Sequence, residues 1–224
     1  MAANGTTELA FKSAPVRFGS IRAKPPLAGN GQRIGLLGGS FNPPHSAHRL
    51  ITHTALRRLQ LDAVWWVVTP GNPLKSHDEL ATLYERMQLC RAKSRGDPRI
   101  RITDFEADLA SAYTAATLSF LKLRLPHVRF VWLMGADNLA TFHRWQEWQA
   151  IMEMMPVAVV DRPGWRLRSM AEQTAKRFKD SFVPESRAVL LPGMEPPAWT
   201  FLTGPLSDLS STAIRAARRT KHQH

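Results

Sequence analysis

An apolar run at 34–37 stops at Gly38–Gly39, turns through Pro43–Pro44 and meets His45 and His48 at the head of an amphipathic stretch, 49–59. A strand that ends in glycines and passes into a helix start is the phosphate-binding arrangement of open α/β folds. Glycine lets a ligand approach the backbone because it has no Cβ. The helix start offers unpaired N–H groups and a partial positive charge. His45 and His48 are three residues apart, so in a helix's first turn they share a face. The segment is neither of two familiar phosphate loops. No Lys-Ser/Thr pair follows its glycines, and Gly35, Gly38 and Gly39 lack the dinucleotide-binding spacing. Two such histidines are also half a zinc site, or two surface side chains. No Cys, His or carboxylate stands nearby to complete a metal site, and the glycines and prolines in register favour phosphate contact; no metal ligands are expected.

The rest of the chain alternates. Strands are expected at 33–37, 63–69, 100–103, 128–134, 157–160, 188–191 and near 199–202. Helices are expected at 48–60, 80–94, 114–124, 138–154 and 167–179, with another starting near Ser210. This alternation predicts a Rossmann-like, doubly wound parallel sheet in a single domain. Ligands of such sheets lie beyond the carboxyl ends of the strands, where the Gly38 turn, a loop at 70–77 and Gly135–Asp137 should converge.

The chain has 224 residues and a formal net charge of +12. That field attracts nucleotides, nucleic acid or a membrane surface. Glu8 is the only acid before Asp62, and Arg218, Arg219 and Lys221 add charge at the other end. These ends read as solvated tails rather than an RNA-binding device. Residues 1–30, with Pro25–Pro26 and Gly29, are expected to form a disordered basic leader, 31–217 the folded domain and 218–224 a basic tail. No apolar run is long enough to span a bilayer. Cys90 is the single cysteine, which fits a reducing, cytoplasmic setting. Neither a membrane nor a nucleic-acid partner is expected, and homo-oligomerisation stays open.

A second constellation, Ser210–Ser211–Thr212–Ala213–Ile214–Arg215, places hydroxyls at a helix start and an Arg within one turn. Alone it is an ordinary capped helix. With the Gly38 turn at the opposite end of the domain it becomes a second anion cradle.

Both segments resemble signatures of the nucleotidylyltransferase superfamily. Residues 38–48 resemble GG(S/T)F(N/D)PxHxGH, with Ala47 where that family usually has glycine, and 209–215 resemble (I/L)SSTxIR. Three further stretches resemble nicotinate-nucleotide adenylyltransferases. Gly135–Asp137 with Trp145 is similar to GxDxxxxxxxW. Tyr113–Thr114 with Thr117–Leu118 is similar to SYTxxTL, with Ala116 replacing a common Asp. Residues 70–75 are similar to the loop that brings Lys75 toward a phosphate. Arg162–Pro163–Gly164 matches that family's turn after a strand, read as structural.

The resemblance covers about 33–216 and implies adenylyl transfer from ATP to nicotinate mononucleotide, giving deamido-NAD and pyrophosphate, with Mg2+ accompanying the triphosphate. It implies that Gly38, Gly39, Ser40, Phe41, His45 and His48 hold ATP, with His48 nearest the transferred phosphate. Ser211, Thr212 and Arg215 would bind the leaving groups, and His45, His48 and Arg215 would be catalytic. Asn42, Lys75, Tyr113, Thr114, Asp137 and Trp145 would face the acceptor. Phe142, Trp145 and Trp148 also have core spacing, and for Trp148 the core reading is preferred. Rivals are a sibling enzyme for nicotinamide mononucleotide or phosphopantetheine, one with a cytidylyl donor, a non-enzymatic RNA binder, and a nucleotide-holding module without turnover.

Overall fold

The computed structural model describes residues 23–71, 80–109, 111 and 113–204. Its strands are β1 (Arg33–Gly39), β2 (Ala63–Val68), β3 (Ile100–Thr103), β4 (Arg129–Gly135), β5 (Val157–Val160), β6 (Phe182–Val183) and β7 (Trp199–Leu202). They form one sheet in the order β3-β2-β1-β4-β5-β7-β6, and every pairing is parallel. The order runs outward from β1 in one direction and from β4 in the other. Neighbouring crossovers there lie on opposite faces and leave a crevice at the carboxyl ends.

Side-chain alternation explains why both faces are covered. On β4, Phe130, Trp132 and Met134 enter one core cluster, while Val131 and Leu133 enter the other. The adjacent Trp65 and Trp66 of β2 split the same way, both fully buried. The first face is packed by α3 (Thr114–Arg124), α4 (Ala136–Thr141), α5 (Trp148–Met154) and α7 (Gln173–Arg177), which comes after the short α6 (Arg166–Met170). The second is packed by α1 (Ser46–Arg58) and α2 (Leu83–Ser94), through Ile51, Ala55, Leu56, Met87 and Cys90.

Among the described residues the expected elements hold with four differences. Residues 138–154 do not form one helix. A 3-10 turn at Phe142–Arg144 and an extended Trp145 separate α4 from α5, and Glu147 sits at φ 56°. The stretch expected at 167–179 is likewise broken between α6 and α7. The apolar residues 188–191 are not a strand but part of a 3-10 segment, Glu185–Gly193. Pro192 lies inside it and has no N–H for a ladder. The strand there is the two-residue β6, too short to show a period. Finally, residues 23–30 lie on the domain rather than in a free leader. Ala23 is buried in the first cluster, and the Leu27 carbonyl accepts a 2.6 Å bond from Arg101. Residues 1–22, the tail at 218–224 and the helix expected from Ser210 lie outside the described residues. Among the described residues no helix is long and apolar enough to cross a membrane.

Candidate active site

The turns at the carboxyl ends of β1 and β4 build the crevice between those strands. Beyond β1, Phe41 adopts φ 47°, a conformation that costs a bulky residue of the order of 1–3 kcal/mol. Packing holds it there. Phe41 is 1% exposed, its ring stacks on Trp66 at 5.2 Å and tilts against His48 at 4.6 Å. Asn42 is buried, and its Oδ1 accepts from the Ala81 N–H at 3.4 Å.

His45 caps α1 and His48 lies one turn in, with ring centroids 4.0 Å apart. The His45 backbone N–H donates to His48 Nδ1 at 3.1 Å. An accepting Nδ1 places the imidazole proton on Nε2, and Nε2 has no partner among the described residues. The His48 carbonyl accepts from Thr52 Oγ1 at 2.8 Å, and Thr52 Oγ1 accepts from Trp66 Nε1 at 2.7 Å. The Nδ1 bond thus orients the ring, while Thr52 and Trp66 anchor the main chain that carries it. Burial lowers His45 from 6.5 to about 4, helped by the positive charges of Arg162 and Lys93. Burial, then His45 and Arg162, hold His48 well below 6.5. Near neutral pH both are uncharged, and His48 offers an N–H donor rather than a cation.

The glycines serve two purposes. A Cβ on Gly38 would lie 2.4 Å from the Trp132 ring, so packing under the sheet alone demands glycine there. A Cβ on Gly39 would meet only the Phe41 ring, at an ordinary 3.6 Å, so packing does not demand glycine there and its open side remains free for other use.

Beyond β4, Asp137 Oδ2 pairs with Arg162 at 3.1 Å. Asp137 Oδ1 is buried and has no hydrogen-bond partner in the described structure. A Cβ at Gly135 would fall 2.4 Å from that oxygen and 3.0 Å from Arg162 Cδ. The glycine therefore makes room for the ion pair. Arg162 lies just past β5, in the turn that sequence alone assigns to structure. Here its charge reaches both imidazoles and its guanidinium holds Asp137. Only the fold brings it to the crevice, because it is far from His45 along the chain.

At the start of α3 the Tyr113 N–H is taken by Ser111 Oγ at 3.3 Å, so Thr114 is the first residue whose N–H the helix leaves open. Thr117 Oγ1 donates to the buried Glu106. Burial raises that carboxyl to about 7 although the Thr117 bond opposes the shift. Trp145 packs on Phe142 at 5.1 Å and remains partly exposed. Trp148 sits edge-on to Phe142 and Phe178. Lys75, Ser211, Thr212 and Arg215 lie outside the described residues.

A parallel sheet with two imidazoles at its switch point is the frame of a nucleotidyltransferase-type domain, and a family model described as cytidylyltransferase-like matches residues 36–217. A protein of Agrobacterium fabrum named "probable nicotinate-nucleotide adenylyltransferase" is 53% identical over 182 residues, covering 81% of this chain and 97% of that one. A protein of the same name from Methylorubrum extorquens is 54% identical, covering 82% and 98%. The solved Plasmodium falciparum nicotinic acid mononucleotide adenylyltransferase, complexed with NaAD, shares the fold with a TM-score of 0.61 at 19% identity, covering 83% of each chain. The chain belongs to the nicotinate-nucleotide adenylyltransferase family of cytidylyltransferase-like proteins.

Proposed function

We propose that this chain transfers the adenylyl group of ATP to nicotinate mononucleotide, forming deamido-NAD and releasing pyrophosphate. The observation that carries this reading is the imidazole pair at the β1/β4 switch point, with His48 Nε2 left as a fixed, uncharged donor. A phosphate oxygen of the acceptor attacks the α-phosphorus of ATP. A new P–O bond forms as the bond to the bridging oxygen of the β-phosphate breaks, and pyrophosphate carries away the electron pair. The nucleophile is already anionic near neutral pH, so no general base is needed. Alignment and charge stabilisation then supply the catalysis.

In this reading His45 and His48 contact the ATP phosphates, and the backbone of Gly39 to Phe41 borders them. Ser211, Thr212 and Arg215 grip the leaving β and γ groups, and Lys75 meets a phosphate. Asp137 Oδ1, an acceptor without a partner among the described residues, takes a ribose hydroxyl of the ligand. Arg162 adds positive charge where two polyanions meet. The open Thr114 N–H at the α3 start receives the nicotinate carboxylate, and the partly exposed Trp145 flanks the pyridine ring, since an electron-poor ring stacks well on indole. Among the described residues no group of three His, Cys, Asp or Glu side chains gathers to hold a metal ion; magnesium enters on the triphosphate as part of that substrate. The single buried thiol suits a reducing compartment, and we place the reaction in the cytoplasm.

The test is pyrophosphate release from ATP and magnesium with nicotinate mononucleotide, nicotinamide mononucleotide or phosphopantetheine in parallel. The largest kcat/KM is expected with nicotinate mononucleotide. A larger value with another acceptor reassigns the substrate, and salt-sensitive RNA binding without pyrophosphate release overturns the enzymatic reading.

A further inference from the structure

The most completely engaged polar side chain near the crevice belongs to neither substrate subsite. Arg86, on α2, is fully buried, and each of its guanidinium nitrogens donates to a backbone carbonyl. Nε reaches Ala81 at 2.9 Å, one terminal nitrogen reaches Ser40 at 2.8 Å and Thr69 at 2.7 Å, and the other reaches Pro70 at 3.0 Å. These carbonyls lie at the ends of β1 and β2 and just before α2. One planar fork thus ties three segments on the ligand side of the sheet, a geometry that lysine's single ammonium does not reproduce.

The Ser40 carbonyl matters most. It shares a peptide unit with the Phe41 N–H, and in a trans peptide the two point in opposite directions. Fixing Ser40 on Arg86 therefore also fixes where the Phe41 N–H points. Phe41 is 1% exposed and has φ 47°, yet its N–H finds no acceptor among the described residues. Buried backbone donors are seldom left unpaired, so this one calls for an acceptor beyond the described residues.

We propose that Arg86 is a positioning residue for adenylyl transfer, holding the Ser40–Phe41 peptide so that the Phe41 N–H meets the triphosphate beside His48. This rests on the reading of the crevice as the ATP site. Arg86 itself touches no substrate. It acts through the peptide it orients and through the Phe41 ring, which packs on His48 at 4.6 Å.

Arg86→Lys and Arg86→Gln are compared with the parent and with Ile151→Ala, a truncation in the core on α5 that measures what lost stability alone does. Thermal unfolding sets an assay temperature at which all are folded. If Arg86→Gln does not fold, Arg86→Lys decides. The expected result is a fall in kcat of about tenfold or more in the Arg86 variants, the direction seen when a preorganised donor is displaced. The KM for nicotinate mononucleotide should stay within about threefold, because the lost contact strengthens in the transition state. A kcat matching that of Ile151→Ala would make Arg86 purely structural and overturn the proposal. A parent without turnover would instead overturn the reading of the crevice.

Discussion

Among single residues, His48 is a donor whose direction is set before substrate arrives. Its Nδ1 is occupied, its carbonyl is anchored through Thr52 and Trp66, and its Nε2 is open among the described residues. His48→Ala should lower kcat by roughly a hundredfold or more, the scale for one preorganised transition-state donor. Steady-state rates on a variant shown to be folded check this, and unchanged turnover removes His48 from the reaction. The buried titratable groups make a second prediction. An unfolded imidazole titrates near 6.5 and folded His45 near about 4. Between those values the unfolded chain binds a proton that the folded one does not, so His45 costs stability as pH falls through that window. Glu106 acts oppositely. Its folded value of about 7 lies above the ordinary 4.5, so its contribution is present at low pH and lost as pH rises through 7. Urea unfolding at pH 7.5 and pH 5 should show His45→Asn losing less stability on acidification than the parent, and Glu106→Gln losing more. Equal slopes for all three would rule out both assignments.

Among strands and helices, the site is a set of strand ends. Gly135 closes β4 with space that the Asp137–Arg162 pair occupies, as the 2.4 Å and 3.0 Å approaches of an added Cβ show. Gly135→Ala should therefore fold, because φ there is −81° and suits alanine, but should separate the ion pair. Acceptor KM is expected to rise several-fold, with ATP KM less affected; an unchanged acceptor KM would detach the pair from substrate binding. Elements differ in how readily sequence shows them. The strands with long apolar runs and the β1 turn are readable, because glycine, proline and histidine at fixed spacing admit few conformations. Residues 138–154 are not, since apolar spacing continues across Trp145 and Glu147 although the backbone breaks there. The run 188–191 misleads because a buried 3-10 segment and a buried strand have the same composition. The role of Arg86 cannot be read at all. Its four partners are main-chain carbonyls, which carry no sequence signal.

In the molecule taken entire, a parallel sheet with both faces buried fixes the crevice at one end, and the chain as a whole carries a net charge of +12. Polyanionic substrates should be steered toward it, so kcat/KM for ATP should fall as ionic strength rises from low to physiological values. A salt-independent kcat/KM would show that net charge plays no part in capture. The sequence pattern specifies the class of fold but not the ordering of strands, and with it the meeting of residues from β1, β4 and β5. Arg162 enters the site because β5 lies next to β4, a fact of topology rather than of motif.

The two-substrate crevice is best tried by a structure of the protein with a non-hydrolysable ATP analogue and nicotinate mononucleotide bound together. An α-phosphate oxygen is expected about 3 Å from His48 Nε2 and from the Phe41 N–H, with the acceptor phosphate in line on the opposite side and the nicotinate ring against Trp145. A triphosphate bound away from the β1/β4 crevice, with His48 Nε2 facing solvent, would refute this arrangement.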